Sequence, residues 1–294
     1  MKLSEVPSEL GIQTVRDGWF ENLGLVAHQS AAMLSFLESE RYLAELVANP
    51  RVSCVVAAPA LAEAVPREMG VAVAASPRSA FYHLHNRLAA TDFYWKSFAS
   101  QVAPSARVHP RAYVAERDVR IGERCVIEPN ATILERTIID DDCIVRAGAV
   151  IGSEGFHFMP EGDALLPVAH AGGVHLHRRS EVQSCACVDK AIFGAFTEVG
   201  EDSRIDNLCQ IAHNVKLGKR NRVAAGAMVA GSVETGDDVW IGPTVAISHM
   251  LRVAGGATLT MGAVVTRNVA PGQRVTGHFA IEHDKFIAFM RSIR

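Results

Sequence analysis

The sequence predicts a mainly β protein: a parallel β-helix of six-residue repeats, preceded by a small α/β domain and followed by a short C-terminal helix. The main observation is that bulky aliphatic residues recur every six positions over most of the chain from Val102 onward. The composition agrees, since 49% of the 294 residues are hydrophobic but only 6% are aromatic. This balance favours a slim core of Val, Ile, Leu and Ala.

Residues 1–99 alternate short aliphatic runs with helical patterns, which predicts a small α/β domain. Strands are expected over 23–26, 52–57 and 71–74. Apolar residues with a period of about 3.6 predict helices over 40–48 and 78–90.

The six-residue repeat occupies residues 100–270. One position of each repeat, called the marker here, is bulky and apolar, with Thr235 as the polar exception. The markers are Ile121, Ile127, Ile133, Ile139, Val145 and Ile151, then Phe193, Val199, Ile205, Ile211, Leu217, Val223, Val229, Thr235, Ile241, Ile247, Val253, Leu259 and Val265. Because six is a multiple of two, all markers face one side of an extended chain, as strands require and helices forbid.

The residue four positions after a marker is mostly small, as at Ala131 and Cys143, which permits a tight corner. Together these features are the hexapeptide signature of a parallel β-helix, with three repeats in each triangular coil. Coils of this kind wind left-handed, an exception to the usual right-handed crossover.

Two interruptions and one tail depart from the repeat. Residues 153–173 lack it and are expected to form a loop expelled from the coil. Between Val188 and Phe193 the spacing drops to five, which predicts a local register slip. Residues 271–294 form a separate C-terminal turn and helix, with the turn beginning near 268 and the amphipathic helix over 282–294.

Charge and composition exclude several classes of protein. The formal net charge of −3 excludes the broad basic surface that binds nucleic-acid phosphates, so no nucleic-acid partner is expected. No apolar stretch approaches the ~18 to 20 residues that span a bilayer, and the N-terminus shows no secretory signal. We therefore expect a cytoplasmic protein without a transmembrane segment, whose six cysteines are reduced thiols.

Two groups of potential metal ligands have simpler interpretations. Cys185 and Cys187 are one residue apart but lack a second pair at zinc-finger spacing. His175 and His177 share one face of a strand near His170, yet the sequence assures no carboxylate or further ligand. A solvated face is the favoured interpretation, and no metal site is predicted.

Two histidines occupy the same place in the repeat. His213 and His249 each follow a marker by two residues, and they are 36 residues apart, which equals two coils. They should stand on one face roughly 10 Å apart, since coils stack at about 4.8 Å, with Gly231 leaving a gap between them. Histidine accepts protons near neutral pH, so this column is a candidate catalytic cleft. Chance alignment of exposed histidines is the alternative.

Two further features are weaker candidates. Asp206, seven residues before His213, is expected to orient the imidazole ring, with a solvated corner carboxylate as the alternative. Gly155 lies in the Glu-Gly-Phe-His segment that opens the expelled loop, where glycine permits close approach of the backbone. An ordinary loop tip is the alternative there.

The segment 205–215, Ile-Asp-Asn-Leu-Cys-Gln-Ile-Ala-His-Asn-Val, closely resembles the active-site stretch of the UDP-3-O-acylglucosamine N-acyltransferase family of lipid A biosynthesis. The similarity continues through 230–232 and 248–250. It also reaches the N-terminal domain, where Phe36 and Tyr42 have the spacing of the two aromatics with which that family holds uracil. The resemblance covers almost the whole chain.

The resemblance implies a homotrimer of left-handed β-helices with active sites in clefts between subunits. His213 would deprotonate the amine of a nucleotide-linked amino sugar, Asp206 would support it, and His249 would bind substrate or stabilise the oxyanion. The acyl donor would be a thioester of acyl carrier protein or CoA, with no permanently bound cofactor and no metal. The implied substrate-binding residues are Phe36, Tyr42, Gly155, Phe156, Asn207 and Gly231.

The sequence departs from the family pattern in several places. The loop motif Asp-Gly-Phe-Gly is Glu-Gly-Phe-His at 154–157, the Asn-Pro after Phe36 is replaced by Ser-Glu at 39–40, and Asp-Arg-Gly is Asp-Lys-Ala at 189–191. The β-helix and the C-terminal extension are shorter. Two alternatives therefore stay open: an acetyl-CoA-dependent sugar N- or O-acetyltransferase of surface polysaccharide synthesis, and a trimeric nucleotide-binding scaffold without turnover.

Overall fold

A five-stranded sheet forms the centre of the N-terminal domain in the computed structural model, which describes residues 1–277, 280 and 282–293. The strand order is β1-β5-β4-β3-β2, with β1 antiparallel to β5 and the other pairs parallel. In chain order the elements are β1 (Gln13–Arg16), β2 (Asn22–Leu23), β3 (Met33–Leu37), α1 (Leu43–Ala48), β4 (Val52–Ala57), β5 (Gly70–Val73) and α2 (Pro77–Ala89). Short 3-10 helices span Leu3–Glu5, Ser8–Leu10, Glu40–Tyr42 and Pro59–Ala64.

The predicted strands over 52–57 and 71–74 and the helix over 78–90 are confirmed to within one residue. The predicted strand over 23–26 ends at Leu23, and the predicted helix over 40–48 begins with a 3-10 turn before α1. Sequence analysis missed β1 and β3. The parallel strands β3 and β4 are almost entirely buried because helices and loops cover both faces of the sheet.

The rest of the chain winds into a left-handed parallel β-helix, as predicted, and each coil supplies one short strand to each of three parallel sheets. Sheet 1 consists of Gln101–Val102, Val119–Ile121, Thr137–Ile139, Gly173–Leu176, Phe196–Val199, Lys216–Leu217, Glu234–Thr235 and Arg252–Val253. Sheet 2 consists of Arg107–Val108, Val126–Ile127, Ile144–Val145, Glu181–Val182, Arg204–Ile205, Arg222–Val223, Trp240–Ile241, Thr258–Leu259 and Arg274–Val275. Sheet 3 consists of Tyr113–Val114, Thr132–Ile133, Val150–Ser153, Cys187–Asp189, Gln210–Ile211, Met228–Val229, Ala246–Ile247 and Val264–Val265.

The markers line the inside of this coil and form one continuous aliphatic core with the small corner residues. Ile211 and Ile247 are fully buried, and so is Ala131 at a corner. Thr235 is tolerated as a polar marker because its hydroxyl accepts a hydrogen bond from the side chain of Asn221, which is itself fully buried.

Both interruptions leave the coil at the same corner, between sheet 3 and sheet 1, and both pack on the N-terminal domain. The first is more ordered than the predicted loop, because it folds into a hairpin of Phe158–Glu161 and Ala164–Pro167. Glu161 accepts hydrogen bonds from α2 residues, and the amide of Asn86 on α2 donates to the carbonyl of Pro167 at 2.8 Å. The excursion is therefore a bridge between the two domains.

Phe193 corrects one detail of the predicted repeat. We expected it to be a marker inside the coil, with a register slip before it. Instead, the segment 190–195 bulges outward, and the Phe193 ring packs in the core of the N-terminal domain, 5.7 Å from Phe81 and 4.8 Å from the His85 ring. The chain re-enters sheet 1 at Phe196–Val199.

The C-terminal end of the coil extends beyond the predicted boundary at 270. Arg274–Val275 pairs in parallel with Thr258–Leu259, so part of the expected turn is one more strand of sheet 2. The predicted helix is present as α3 (His283–Ser292), with Phe286 and Phe289 exposed. Residues 281 and 294, at the edges of this region, lie outside the described residues.

Candidate functional site

The predicted column of His213, Gly231 and His249 is present at the corner between sheets 3 and 1. Their strands stack in parallel register. The backbone continues this stacking through the corner, since Ser232 N–H donates to the His213 carbonyl at 2.9 Å and Met250 N–H donates to the Gly231 carbonyl at 3.0 Å. The three residues therefore occupy successive coils, as their spacing predicts.

The imidazole of His213 lies against Gly231. A Cβ atom on Gly231 would lie only 2.6 Å from Nε2 and 2.9 Å from Nδ1 of the ring. The gap that the sequence predicts between the two histidines is thus filled by the His213 ring, and glycine is required for that close approach. His249, on the far side, is exposed to solvent.

Asn214 holds the His213 ring in a defined state. Its side-chain oxygen accepts the backbone N–H of Ile192 at 2.9 Å and lies 3.2 Å from Nδ1 of His213. Because that oxygen is an acceptor, Nδ1 carries the proton and Nε2 keeps its lone pair. Burial lowers the pKa of His213 to about 4, so the ring is neutral near pH 7 and its Nε2 is free to accept a proton.

Asn214 is not among the residues predicted from the sequence, and within one chain the hydrogen bonds of Asp206 do not reach the His213 ring that we expected it to orient. The Asp206 carboxylate accepts hydrogen bonds from the backbone and side chain of Asn207, both at 2.7 Å, and from Ala225 N–H at 3.1 Å. Asp206 and Asn207 belong to the corner between sheets 2 and 3, whereas His213 belongs to the next corner. Although Asp206 and His213 are only seven residues apart in sequence, they therefore lie at different corners of the coil.

His170 is a second residue that sequence analysis misplaced. We expected it on a solvated face, but its side chain is only 2% exposed and its ring lies 5.5 Å from that of His213. The Nδ1 atom pairs with Glu154 at 3.2 Å, and Glu154 pairs with Lys190 at 2.6 Å. Although burial favours a neutral carboxyl, these two partners lower the pKa of Glu154 to about 2.

The Nε2 atom of His170 is buried and has no hydrogen-bond partner among the described residues. It faces Gly155, where a Cβ atom would lie 2.6 Å from Nε2 of His170 and 3.3 Å from the His213 ring. The close backbone approach that we predicted at Gly155 is therefore a real feature of this corner. It leaves one unused polar atom of His170 beside the His213 ring.

The rest of the loop motif divides between the cleft and solvent. His157, where the family pattern has glycine, crowds the site with its ring 5.6 Å from that of His213, and burial lowers its pKa. Phe156 is 89% exposed, and its one aromatic contact within the described part of the chain is with Phe158, with ring centroids 5.0 Å apart. Within one chain, Phe156 does not line the cleft.

Phe36 and Tyr42 line a single cavity of about 190 Å³ in the N-terminal domain. The Arg78 guanidinium lies over the Phe36 ring at 5.7 Å. The hydroxyl of Ser35, also in the lining, is buried and has no partner among the described residues. Met250 lines the cavity from the β-helix and is the residue after His249, so the cavity opens toward the histidine column.

A neighbouring cavity of about 220 Å³ lies next to the corner that holds His213. It shares Met250 with the first cavity and includes Asn214, which bonds the His213 ring. Lys216, Arg252 and Glu234 also line it, with Glu234 3.4 Å from Arg252. An aromatic-lined cavity, a charged cavity and a neutral histidine therefore follow one another along the interface of the two domains.

The repeat and the histidine corner define this chain as a hexapeptide-repeat acyltransferase. The bacterial transferase hexapeptide family (six repeats) matches residues 118–153 and 196–231. A UDP-3-O-acylglucosamine N-acyltransferase of Delftia acidovorans is 30% identical over 271 residues, which cover 86% of this chain and 78% of the relative. UDP-3-O-acylglucosamine N-acyltransferase 2 of Legionella pneumophila is 31% identical over 298 residues, covering 88% and 83%. The chain belongs to the UDP-3-O-acylglucosamine N-acyltransferase family.

A solved structure supports the fold independently of close sequence similarity. The UDP-N-acetylglucosamine acyltransferase from Campylobacter jejuni is 21% identical and matches with a TM-score of 0.50, over 66% of this chain and 83% of that one. This likeness concerns the fold alone. Among the described residues, no helix has the length and apolar character needed to cross a membrane.

Proposed function

We propose that this protein transfers an acyl group from a thioester to the amine of a nucleotide-linked amino sugar such as a UDP-3-O-acylglucosamine, with His213 as general base. The observation that carries the proposal is the neutral His213 ring, whose Nδ1 lies 3.2 Å from the Asn214 side-chain oxygen and whose Nε2 keeps its lone pair. A base of this kind contributes about 10²- to 10⁴-fold to the rate.

The proposed reaction needs one proton acceptor that later becomes a donor. The amine nitrogen attacks the thioester carbonyl carbon while Nε2 of His213 takes the amine proton, forming the C–N bond and a tetrahedral oxyanion. The C–S bond then breaks, and the imidazolium returns the proton to the leaving thiolate. His249, exposed on the next coil but one, is suited to bind the acceptor or the oxyanion.

The two cavities fit the two ends of the proposed acceptor. The nucleobase of the acceptor would stack between Phe36 and Tyr42, since aromatic rings bind nucleobases by stacking alone. The Ser35 hydroxyl, which is buried without a partner among the described residues, would form a hydrogen bond with it. Lys216 and Arg252 in the next cavity would bind the diphosphate in place of their contacts with Glu198 and Glu234. The sugar amine would then lie near His213.

In this proposal the working unit is a homotrimer with active sites between subunits. Phe156 is 89% exposed and Leu208, near Asp206, is 69% exposed; large exposed apolar side chains of this kind mark interaction surfaces. Asp206 and Asn207, which face away from their own His213, would serve a neighbour's site. Coexpression of His213→Ala and Asp206→Ala chains should then restore activity that neither variant has alone, whereas no recovery would place both residues in one chain's site.

As the acyl donor we favour a thioester of acyl carrier protein over acyl-CoA. Both are cytoplasmic, a compartment that also suits the six free thiols. Competition between a long-chain acyl carrier protein and acetyl-CoA distinguishes this activity from that of a sugar acetyltransferase. Preferential transfer from acetyl-CoA would favour the latter.

The direct test is mass spectrometry of the products formed from a UDP-amino sugar and an acyl thioester by wild type and by His213→Gln. We expect the variant to lose 10²-fold or more of the rate with its fold intact. His109→Gln, an exposed histidine of the first coils, is the matched control. Wild-type turnover by His213→Gln would overturn the assigned base.

The nucleotide site has a separate test. Phe36→Ala and Tyr42→Ala should each weaken binding of the UDP-sugar roughly tenfold or more, because stacking on a base contributes ~1–3 kcal/mol, while kcat changes little. Tyr113→Ala removes an exposed ring of the β-helix, 55% exposed against 37% for Tyr42, and should change neither value. Equal affinity of all three variants for the UDP-sugar would show that the nucleobase binds elsewhere.

A further inference from the structure

A second cluster of histidines and carboxylates lies on the outer face of sheet 1, outside the histidine corner. Nε2 of His175 is 2.9 Å from Oδ1 of Asp140, and Nδ1 of His177 is 3.6 Å from Oδ2 of the same carboxylate. One potential ligand atom from each of the three residues lies within 4.8 Å of the others. Glu198 approaches from the opposite side, with Oε2 3.1 Å from Nε2 of His177.

The coil itself assembles this cluster. His175 and His177 are two residues apart on the strand Gly173–Leu176 and just beyond its end, so both side chains face outward. The strand Thr137–Ile139 pairs beside it and ends immediately before Asp140. On the other side Glu198 pairs directly with His175. Three successive coils therefore converge on one spot.

The chemistry of this set is that of a transition-metal site rather than of a simple ion pair. Two imidazoles lie with centroids only 3.9 Å apart, between two carboxylates. Imidazole and carboxylate together suit Zn²⁺ and its first-row neighbours, and the three clustered ligands leave the fourth tetrahedral position to water. The side chains of His175 and His177 are 24% and 31% exposed, which leaves a path for an ion to enter.

We propose that Asp140, His175 and His177 bind a divalent transition-metal ion of the zinc class, with water at the remaining position. The carboxylate of this set is remote from the two histidines in sequence, so the spacing of the histidines alone does not predict it. Asp140 precedes the first excursion and the two histidines follow it, so the chain between them includes the whole expelled hairpin. Asp140 and His177 are recognised as neighbours only when the excursion is left out and the six-residue repeats before and after it are counted as consecutive.

The position of the site suggests its purpose. Asp140 lies on the coil that the chain leaves for the excursion, and His175 lies where it returns. An ion held by both would clamp the coil before the excursion to the coil after it, and so stabilise the part of the chain from which the segment carrying Glu154 and His170 extends. We therefore assign the ion a structural role, binding only the folded protein and stabilising it by mass action.

The test uses the full-length protein after removal of metal with a chelator. Calorimetric titration with Zn²⁺ should give one ion per chain with a dissociation constant in the micromolar range or tighter. Co²⁺ should produce visible absorption bands of a four-coordinate site. Asp140→Asn and His177→Gln, which nearly preserve side-chain shape, should each weaken binding at least tenfold, the lower end of the effect expected for altering a metal site.

His83→Gln is the matched control, because His83 also pairs with a glutamate, Glu161, at 2.9 Å but belongs to no cluster of three ligands among the described residues. It should bind Zn²⁺ like wild type. Circular dichroism of the metal-free variants checks that each one folds.

A second readout tests the structural role. Stoichiometric Zn²⁺ should raise the thermal midpoint of wild type and of His83→Gln by several degrees and leave those of Asp140→Asn and His177→Gln unchanged. Absence of stoichiometric binding to wild type, or equally tight binding to the Asp140→Asn and His177→Gln variants, would overturn the metal site and leave a hydrogen-bonded charge network. Tight binding without a rise in the thermal midpoint would overturn the clamp.

Discussion

The imidazole of His213 occupies the space that a Cβ atom on Gly231 would need, 2.6 Å from Nε2 of the ring. The position of the proposed base is therefore set by a missing side chain one coil away, as well as by its own hydrogen bond to Asn214. This relationship makes an otherwise minor substitution informative.

Gly231→Ala should displace the His213 ring and lower kcat as severely as a loss of the base, roughly 10²-fold or more. It should also lower the thermal midpoint, because the new methyl group overlaps the ring. The control is a double-mutant cycle with His213→Ala, measured by thermal unfolding. In the His213→Ala background the glycine substitution has nothing to displace, so its effect on stability should largely disappear. Additive effects would contradict the contact.

Buried histidines should make the folded state sensitive to mild acid. Burial lowers the pKa values of His28, His85 and His213 to about 4, whereas an unfolded histidine titrates near 6.5. Between pH 6.5 and 4 these histidines are protonated in the unfolded chain but neutral in the folded protein. Stability is therefore lost as the pH falls through this window. The contacts of Glu154 lower its pKa to about 2, so the stability that they provide is lost only as the pH falls toward that value.

The measurement is the free energy of unfolding in urea at pH 6.5 and pH 5.0, for wild type and for His213→Gln. Wild type should lose more stability than the variant over this interval, because the variant lacks one of the rings that must be protonated on unfolding. Taking the difference between the two proteins cancels the other titrating groups. The same pH dependence in both proteins would mean that His213 titrates normally in the folded state.

His170 should affect the catalytic rate rather than binding of the nucleotide. Its Nδ1 is engaged by Glu154, while its buried Nε2 is unused beside His213. His170→Phe removes both nitrogens and should lower kcat roughly tenfold or more, with KM for the UDP-sugar nearly unchanged, as for other groups that support a catalytic residue. His170→Gln retains a polar end and should recover part of the rate.

The comparison variant is His83→Gln, which changes the contact between α2 and the same hairpin without approaching the cleft. It should leave both kinetic constants at wild-type values. A rise in KM for His170→Phe at constant kcat would instead assign His170 to substrate binding.

The histidine column was predictable because it depends only on counting. Six residues per repeat and three repeats per coil place His213, Gly231 and His249 in one line, whatever the surrounding residues are. The low aromatic content has the same origin, since each coil buries slender side chains. The binding role proposed for Phe36 and Tyr42 comes from the resemblance alone, because no regular pattern in the N-terminal domain distinguishes these two residues.

The remaining site residues depend on contacts between segments that no local pattern connects. His170 reaches the cleft only because the hairpin folds back on α2, and Asn214 matters because segment 190–195 lies beside it. Asp206 shows the reverse relationship. It is close to His213 in sequence, but a β-helix sends residues seven positions apart to different corners, so the two side chains are apart within one chain.

Asn221 and Thr235 form a hydrogen-bonded polar pair inside the coil. Asn221 is fully buried at a position where other coils carry small residues, and its side-chain oxygen accepts the N–H of Val239 at 2.6 Å. Its amide donates to the Thr235 hydroxyl at 2.7 Å and to the carbonyls of Gly218 and Gly236, both at 3.1 Å. The amide thus ties neighbouring coils at the corner between sheets 1 and 2.

Asn221→Ala should destabilise the protein by about 2 kcal/mol or more, because it leaves the Val239 N–H and several acceptors buried without partners. Thr235→Val should cost less, since the Asn221 amide keeps its two carbonyl acceptors and only the Gly218 N–H, which donates to the Thr235 hydroxyl at 3.0 Å, loses its acceptor. Urea unfolding of the single variants and the double variant measures the coupling. Because the two substitutions break one shared hydrogen bond, their combined cost should be smaller than the sum. A strictly additive result would mean that Thr235 is polar for a reason other than Asn221.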